Sequence, residues 1–245
     1  MRTLHAEWTK LRTVPATLWL LSGTALGTVA LGATVTASVH TDQCPSPAEC
    51  FEDTARLGLS GVHLGQLMVA ILAVLAVSGE YGTGMIRTTF AAMPRRPAVF
   101  AAKAVVTTAA VLAAGTAGVL GSVAVTRPIL RHNGFTDLVP PGRAEVGTVL
   151  YLALIGLLSL GVAALVRDTA VAVTTVVGLL YVFPLLSRFI DTDLFDRYAP
   201  LNAGLAVQAT VGVDRLPIQP WAGLGVLGAW AGVALVCGAI RFRRA

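Results

Sequence analysis

Residues 78–103 read SGEYGTGMIRTTFAAMPRRPAVFAAK, a polar and basic break between two clean apolar runs. Arg87, Arg95, Arg96 and Lys103 stand there against a single acid, Glu80. Cytoplasmic loops of membrane proteins carry this kind of Lys/Arg excess, so the loop is expected on the cytoplasmic side. Within it Ile86, Phe90 and Met93 fall at i, i+4 and i+7, one apolar stripe of a short helix, with Arg87, Thr88 and Thr89 on the other side. Pro94 ends that helix. Gly82 and Gly84 make a flexible approach from the preceding span, and Pro97 suits the first turn of the next helix, where a missing N–H is harmless. The expected order is span, turn, short surface helix, turn, span.

Composition fixes the class around this loop. The chain has 245 residues, 55% hydrophobic and 13% charged, against roughly 25% charged in soluble domains, and its mean hydropathy is +0.74. This is the composition of an all-α polytopic membrane protein. The net charge of +5 would suit nucleic acid, but the basic residues sit at the ends of apolar runs and form no continuous patch, so no nucleic-acid partner is expected. Lysine occurs only at positions 10 and 103, and the heavy Arg, Ala, Val and Gly usage points to a GC-rich bacterial genome.

Taken in order, residues 1–14 form an amphipathic segment. Leu4, Trp8 and Leu11 share one face, while Arg2, Lys10 and Arg12 are available to phosphates, and Trp8 suits the head-group belt. An amphipathic interfacial helix and a basic tail without regular structure are both open readings. Six spans are expected at about 15–39, 62–77, 103–125, 146–166, 169–186 and 221–240, each judged against the roughly 20 residues that cross a bilayer. The basic loop occupies 78–102, where its short helix could rest on lipid head groups or dock a cytosolic partner, and the outer loops 40–61, 126–145 and 187–220. Arg167-Asp168 is so short a connection that the fourth and fifth spans form an antiparallel hairpin. Tyr181, Phe183 and Pro184 suit an interface and a kink, whereas Pro128, Pro140 and Pro141 oppose a continuous helix in the outer loop. Residues 201–213 are half apolar and could dip into the membrane or lie on it. Gly23 with Gly27, and Gly228 with Gly232, have the spacing that permits close helix packing.

Cys44 and Cys50 lie in the first outer loop and could bridge in an oxidising compartment, or remain free thiols. Cys237 is expected to pack within the last span. His63 and Gln66 have no second ligand at useful spacing, so a hydrogen-bonded structural role is expected and no metal site. Topology rests on the charge bias: this arrangement puts 11 basic residues inside and 7 outside, with both termini cytoplasmic.

Missing motifs narrow the chemistry. No phosphate loop of the form G-x-x-x-x-G-K-[ST] occurs, nor H-E-x-x-H, nor G-x-S-x-G with suitable partners. No catalytic residue is assigned, and the chain is expected to hold no cofactor of its own. The span centres lack Asp, Glu, Lys, Arg and His, which argues against ion-driven transport. They carry Thr, Ser and Gly instead, compatible with a path for an apolar or amphiphilic substrate such as a drug, antibiotic, lipid or peptide, and equally with helix packing.

The run Glu80-Tyr81-Gly82-Thr83-Gly84, followed by Met85-Ile86-Arg87, Ala92-Met93-Pro94-Arg95-Arg96 and Ala101-Ala102-Lys103, resembles the first cytoplasmic loop of type-2 ABC exporter permeases. Glu7-Trp8-Thr9-Lys10-Leu11-Arg12 resembles the start of such chains. The resemblance implies an elbow helix along the cytoplasmic leaflet, a coupling helix seated in a separate cytosolic ABC ATPase that holds ATP and Mg, and pairing with a second permease copy or a similar partner in a bacterial cytoplasmic membrane. On that reading the ATPase-coupling residues are Glu80, Tyr81, Gly84, Ile86, Arg87, Phe90, Met93, Pro94, Arg95 and Arg96. Glu80 would pair with Arg87 or Arg95, or be solvated. A non-ABC membrane scaffold or immunity-type protein, and a secondary transporter, are the alternatives.

Overall fold

The computed structural model describes residues 2–39, 53–85, 88, 96–135, 142–187 and 197–243. Among these every regular element is helical. They are α1 (Arg2–Thr13), α2 (Pro15–Ser38), α3 (Thr54–Gly58), α4 (Val62–Gly82), α5 (Arg96–His132), α6 (Gly142–Val166), α7 (Thr169–Val177), a π-turn (Gly178–Val182), α8 (Phe183–Ser187), α9 (Pro200–Leu205), 3-10 turns at Ala206–Gln208 and Val213–Arg215, and α10 (Pro220–Arg243). Five helices, α2, α4, α5, α6 and α10, are long and apolar enough to cross a membrane. The chain is an all-α membrane protein by that measure. The apolar helix Thr169–Leu185, expected as a further span, falls below the length of the other five.

Burial orders the bundle. Of the five long helices α6 is the most apolar and the most enclosed, packed against α10, α4 and α5, as befits a helix that is hydrophobic all round. Tyr151, Leu152, Ile155, Leu158 and Leu160 of α6 are fully buried. α2 is the opposite case: it packs on α5 and α4 by Thr17, Thr24, Thr28, Gly32 and Thr36 and leaves Leu18, Trp19 and Leu26 exposed. The threonines can face a helix interface because Thr24, Thr28 and Thr36 each donate the hydroxyl to the carbonyl four residues back.

Close approach depends on glycines other than the two spaced pairs. A Cβ on Gly61 would stand 1.8 Å from Thr28 O, and one on Gly161 would stand 2.5 Å from Ala234 C. Gly228 and Gly232, by contrast, have nothing within 4 Å, and Gly23 and Gly27 meet only the side chains of Met68 and Leu64. Spacing alone therefore did not identify the backbone contacts, because G-x-x-x-G says which residues share a helix face but not what that face meets.

The bounds of α5 and the setting of Cys237 differ from expectation, and the irregularity expected near Pro184 takes a specific form. α5 has 37 residues, about 55 Å at 1.5 Å per residue, against a hydrocarbon core of about 30 Å. It runs through Pro128 because its last turn is held from outside: Leu130 is buried, and Asn133 Nδ2 donates to Thr36 O and Val39 O at the end of α2. Just before Pro184 the backbone adopts the π-turn, with Phe183 N donating to Gly178 O. Cys237 lies exposed on α10 instead of packing inside. Cys44 and Cys50 lie outside the described residues.

The α6–α7 hairpin forms as the sequence suggested. Arg167 takes a left-handed conformation, φ 66°, to end α6, and Asp168 caps α7 by accepting from Val171 N. Within the described part of the last outer segment, α9 and the 3-10 turn that follows it are buried against α6 and α10, with Ala203 and Val207 fully enclosed.

Candidate functional site

At one end of the bundle α1 lies across α4 and α5, and both lysines of the chain meet two of its acids there. Glu80 sits in the last turn of α4, Lys103 in the second turn of α5, and Glu7 and Lys10 one turn apart on α1. Lys103 Nζ donates to Glu80 Oε1 at 2.6 Å, to Glu7 Oε2 at 2.8 Å and to Ala76 O at 3.1 Å. All three of its donors are used. Lys10 Nζ donates to Glu80 Oε1 at 2.8 Å and to Glu7 Oε1 at 3.1 Å.

The cluster is neutral, two carboxylates against two ammonium groups, which makes its burial tolerable. The Lys103 side chain is 2% exposed and each carboxylate 10%. Lys10, at 34%, reaches in from the rim. Its partial burial would lower its pKa, but the hydrogen bond and charge of Glu80, together with Glu7, raise it above the ordinary 10.5. Glu80 sits near the negative end of the α4 dipole, where a carboxylate is disfavoured. The lysines supply what the helix does not.

This arrangement divides the expected stripe. Glu7 faces the bundle and is buried, whereas Leu4 and Trp8 are exposed. Only Leu11 of the three faces inward, where it lines a cavity of about 360 Å³ between α1, α2, α4 and α5. Lys10, expected to be free for phosphates, is engaged by both carboxylates.

A second cluster adjoins the first. Tyr81, the neighbour of Glu80, meets Phe242 of α10 edge-on at 6.3 Å between centroids, and Phe100 of α5 meets Phe242 at 5.3 Å. The Arg167 guanidinium lies 5.5 Å over the Tyr81 ring and donates to Arg241 O. Arg96 Nη1 donates to Arg243 O at 3.0 Å. Two guanidiniums thus satisfy the last carbonyls of α10 and complement its dipole. Both terminal helices are bound at this same end of the bundle.

Gly84 closes α4 with φ 71°, a conformation that glycine adopts without strain. Arg96 opens α5, so Glu80, Tyr81, Gly84 and Arg96 of the expected coupling set are grouped about the two clusters. Ile86, Arg87, Phe90, Met93, Pro94 and Arg95 lie outside the described residues. So do both of the arginines expected to hold Glu80, and among the described residues it is the lysines that hold it.

At the opposite end Asp53 acts as a latch. Its carboxylate accepts from Ala55 N and Arg56 N, capping α3, and also from Thr210 N, Thr210 Oγ1 and Val211 N. Gln66 and Tyr151 are fully buried with the Tyr151 hydroxyl donating to Gln66 Oε1, and Tyr181 donates to His63 O at 2.5 Å. Gln66 thus has a side-chain partner in Tyr151, whereas His63 takes part through its backbone carbonyl.

Sequence reasoning did not find Glu7, Lys10 and Lys103 as partners. One signal was present, two lysines in a chain whose other basic side chains are nearly all arginine. Lysine offers a compact point charge with three donors, which suits a tetrad better than a planar fork does. No protein-family model matches the chain, and no curated protein matches it.

Proposed function

We propose that the chain is the permease subunit of an ATP-driven exporter, crossing a bacterial cytoplasmic membrane six times with Thr169–Ser187 as the fifth span, and coupled to a separate cytosolic ATPase. The carrying observation is the position of the ion cluster. Glu80 and Lys103 bracket the 83–95 segment and are joined to each other and to α1. A partner seated on that segment would load α4 and α5 together, and through Glu7 and Lys10 it would move α1 with them. Transmission of this kind needs a packed element that the partner biases between two arrangements. α1 is then the elbow helix on the cytoplasmic leaflet, with Leu4 and Trp8 turned to lipid.

In this reading Ile86, Phe90 and Met93 fill a groove of the ATPase and Arg87 reaches its rim. ATP and Mg reside on the ATPase. A second permease copy, or a similar chain, completes the pathway for an apolar or amphiphilic substrate. The test is co-purification of the chain with the products of neighbouring genes in mild detergent. An ATPase subunit should be recovered with the wild-type chain and lost with Phe90→Asp while membrane insertion persists. Recovery of the chain alone, even after cross-linking, would favour a scaffold or a secondary transporter.

A further inference from the structure

A half-open cavity of about 540 Å³ lies at the end of the bundle away from the ion cluster, where α3, the start of α4, the π-turn and α9 converge. Arg56 and His63 stand exposed at its mouth, whereas Leu201, Leu205 and Ala206 of its lining are buried. Charge is therefore at the rim and apolar surface on the floor. Among the described residues no carboxylate lines the cavity. Asp53, the acid closest to Arg56 in sequence, is already committed to Ala55 N, Arg56 N, Thr210 and Val211 N. No hydrogen bond or ion pair engages the Arg56 guanidinium or the His63 ring among the described residues. Tyr181, also in the lining, spends its proton on His63 O. Being exposed, the guanidinium and the ring are within reach of a molecule in the cavity.

We propose that this cavity binds a single-chain carboxylate of the medium-chain fatty acid kind. The head is set by charge. Arg56 is cationic at every working pH, and its planar fork matches a carboxylate with two parallel N–H···O bonds, with the His63 ring beside it as a further donor. An ammonium head would meet a cation there, and a hydroxyl head would leave that charge unanswered. The tail is set by the apolar floor and by volume. About 540 Å³, at roughly 30 Å³ per water-sized group, holds about 18 such groups. Decanoate, with about 12 non-hydrogen atoms, fits that space, and a lipid with two longer chains does not. This site stands apart from the transport reading and does not depend on it.

The test is retention of radiolabelled decanoate by the full chain in phosphatidylcholine nanodiscs, measured against empty nanodiscs. Saturable retention is expected, with decanol and decylamine held at least about tenfold more weakly for want of the charge pair. Hexanoate leaves the floor uncovered and should also be held at least about tenfold more weakly. Arg56 is exposed and no other side chain among the described residues depends on it. Arg56→Gln should therefore keep the fold and weaken decanoate binding about tenfold. Arg56→Glu should reverse the preference, retaining decylamine above decanoate, which a merely structural role for Arg56 would not produce. The probe series on the wild-type chain decides the matter should either variant fail to fold. Retention no greater than in empty nanodiscs, equal binding of the neutral, cationic or short probes, or an unchanged preference in the folded variants would overturn the assignment.

Discussion

Lys103 Nζ lies 2.6 Å from Glu80 Oε1 across 23 positions of sequence, tying the last turn of α4 to α5. The same ammonium holds Glu7 of α1, so three helices share one buried cation. Removing one member of a buried pair leaves the others uncompensated, at a cost of about 3–5 kcal/mol. Lys103→Met should therefore lower the thermal midpoint in detergent strongly. Lys10→Met, at the half-open rim, should cost no more than about 1 kcal/mol, since solvent screens that pair. Equal losses in the two variants would mean that burial does not set the strength of this cluster.

Lys10 also gives the cluster a pH limit. Its pKa in the folded chain is raised above 10.5 by Glu80 and Glu7, so the stabilisation it contributes is complete below 10.5 and is lost as pH rises through the higher folded value. α1 should stay docked across the neutral range and loosen only above about pH 10.5. Spin labels on Leu4 and on α5 would report this as a lengthening distance. Lys10→Arg, which stays charged to higher pH, should move the transition upward. Loosening of α1 near neutral pH would assign the contact to a different group.

Much of the bundle was legible because a bilayer imposes a length. Apolar runs of about 20 residues announce spans, and the helices 15–38, 62–82, 96–132, 142–166 and 220–243 coincide with five of the six expected ones. The ends were not legible. Hydropathy stops where polar residues begin, but α5 continues through Arg96 and Pro128 on contacts made by Arg243 and Asn133. The cluster was hidden for a related reason. Glu80 could be placed at the mouth of its span, yet its partners lie 23 and 70 residues away, and periodicity carries no information about which helices meet. For α1, the stripe at helical spacing leaves Leu4 and Trp8 exposed, while the face packed on the bundle is the one that carries Glu7.

Glycine substitutions separate spacing from contact. A methyl on Gly61 would fall 1.8 Å from Thr28 O, a backbone atom that cannot move aside without shifting α2. Gly61→Ala should destabilise by about 1–3 kcal/mol or more. Gly228→Ala meets nothing within 4 Å and gains helix propensity of up to about 1 kcal/mol. Thermal midpoints of the two variants should move in opposite directions. A large loss in Gly228→Ala would instead place that face against a neighbouring helix.

Asp53 joins α3 to the 210–211 turn through one carboxylate, and four of its five donor contacts come from backbone N–H groups. Those donors have a fixed direction, so they require an acceptor with lone pairs to spare. A carboxylate provides these and an amide has only one such oxygen. Asp53→Asn keeps shape and removes charge. It should cost about 1.5–3 kcal/mol, the range for hydrogen bonds to a charged group. Amide exchange should accelerate at Thr210 and Val211, while the Lys103 cluster at the other end of the bundle stays protected. Faster exchange at both ends would mean that the latch and the cluster open as one unit, and that a load at either end is felt at the other.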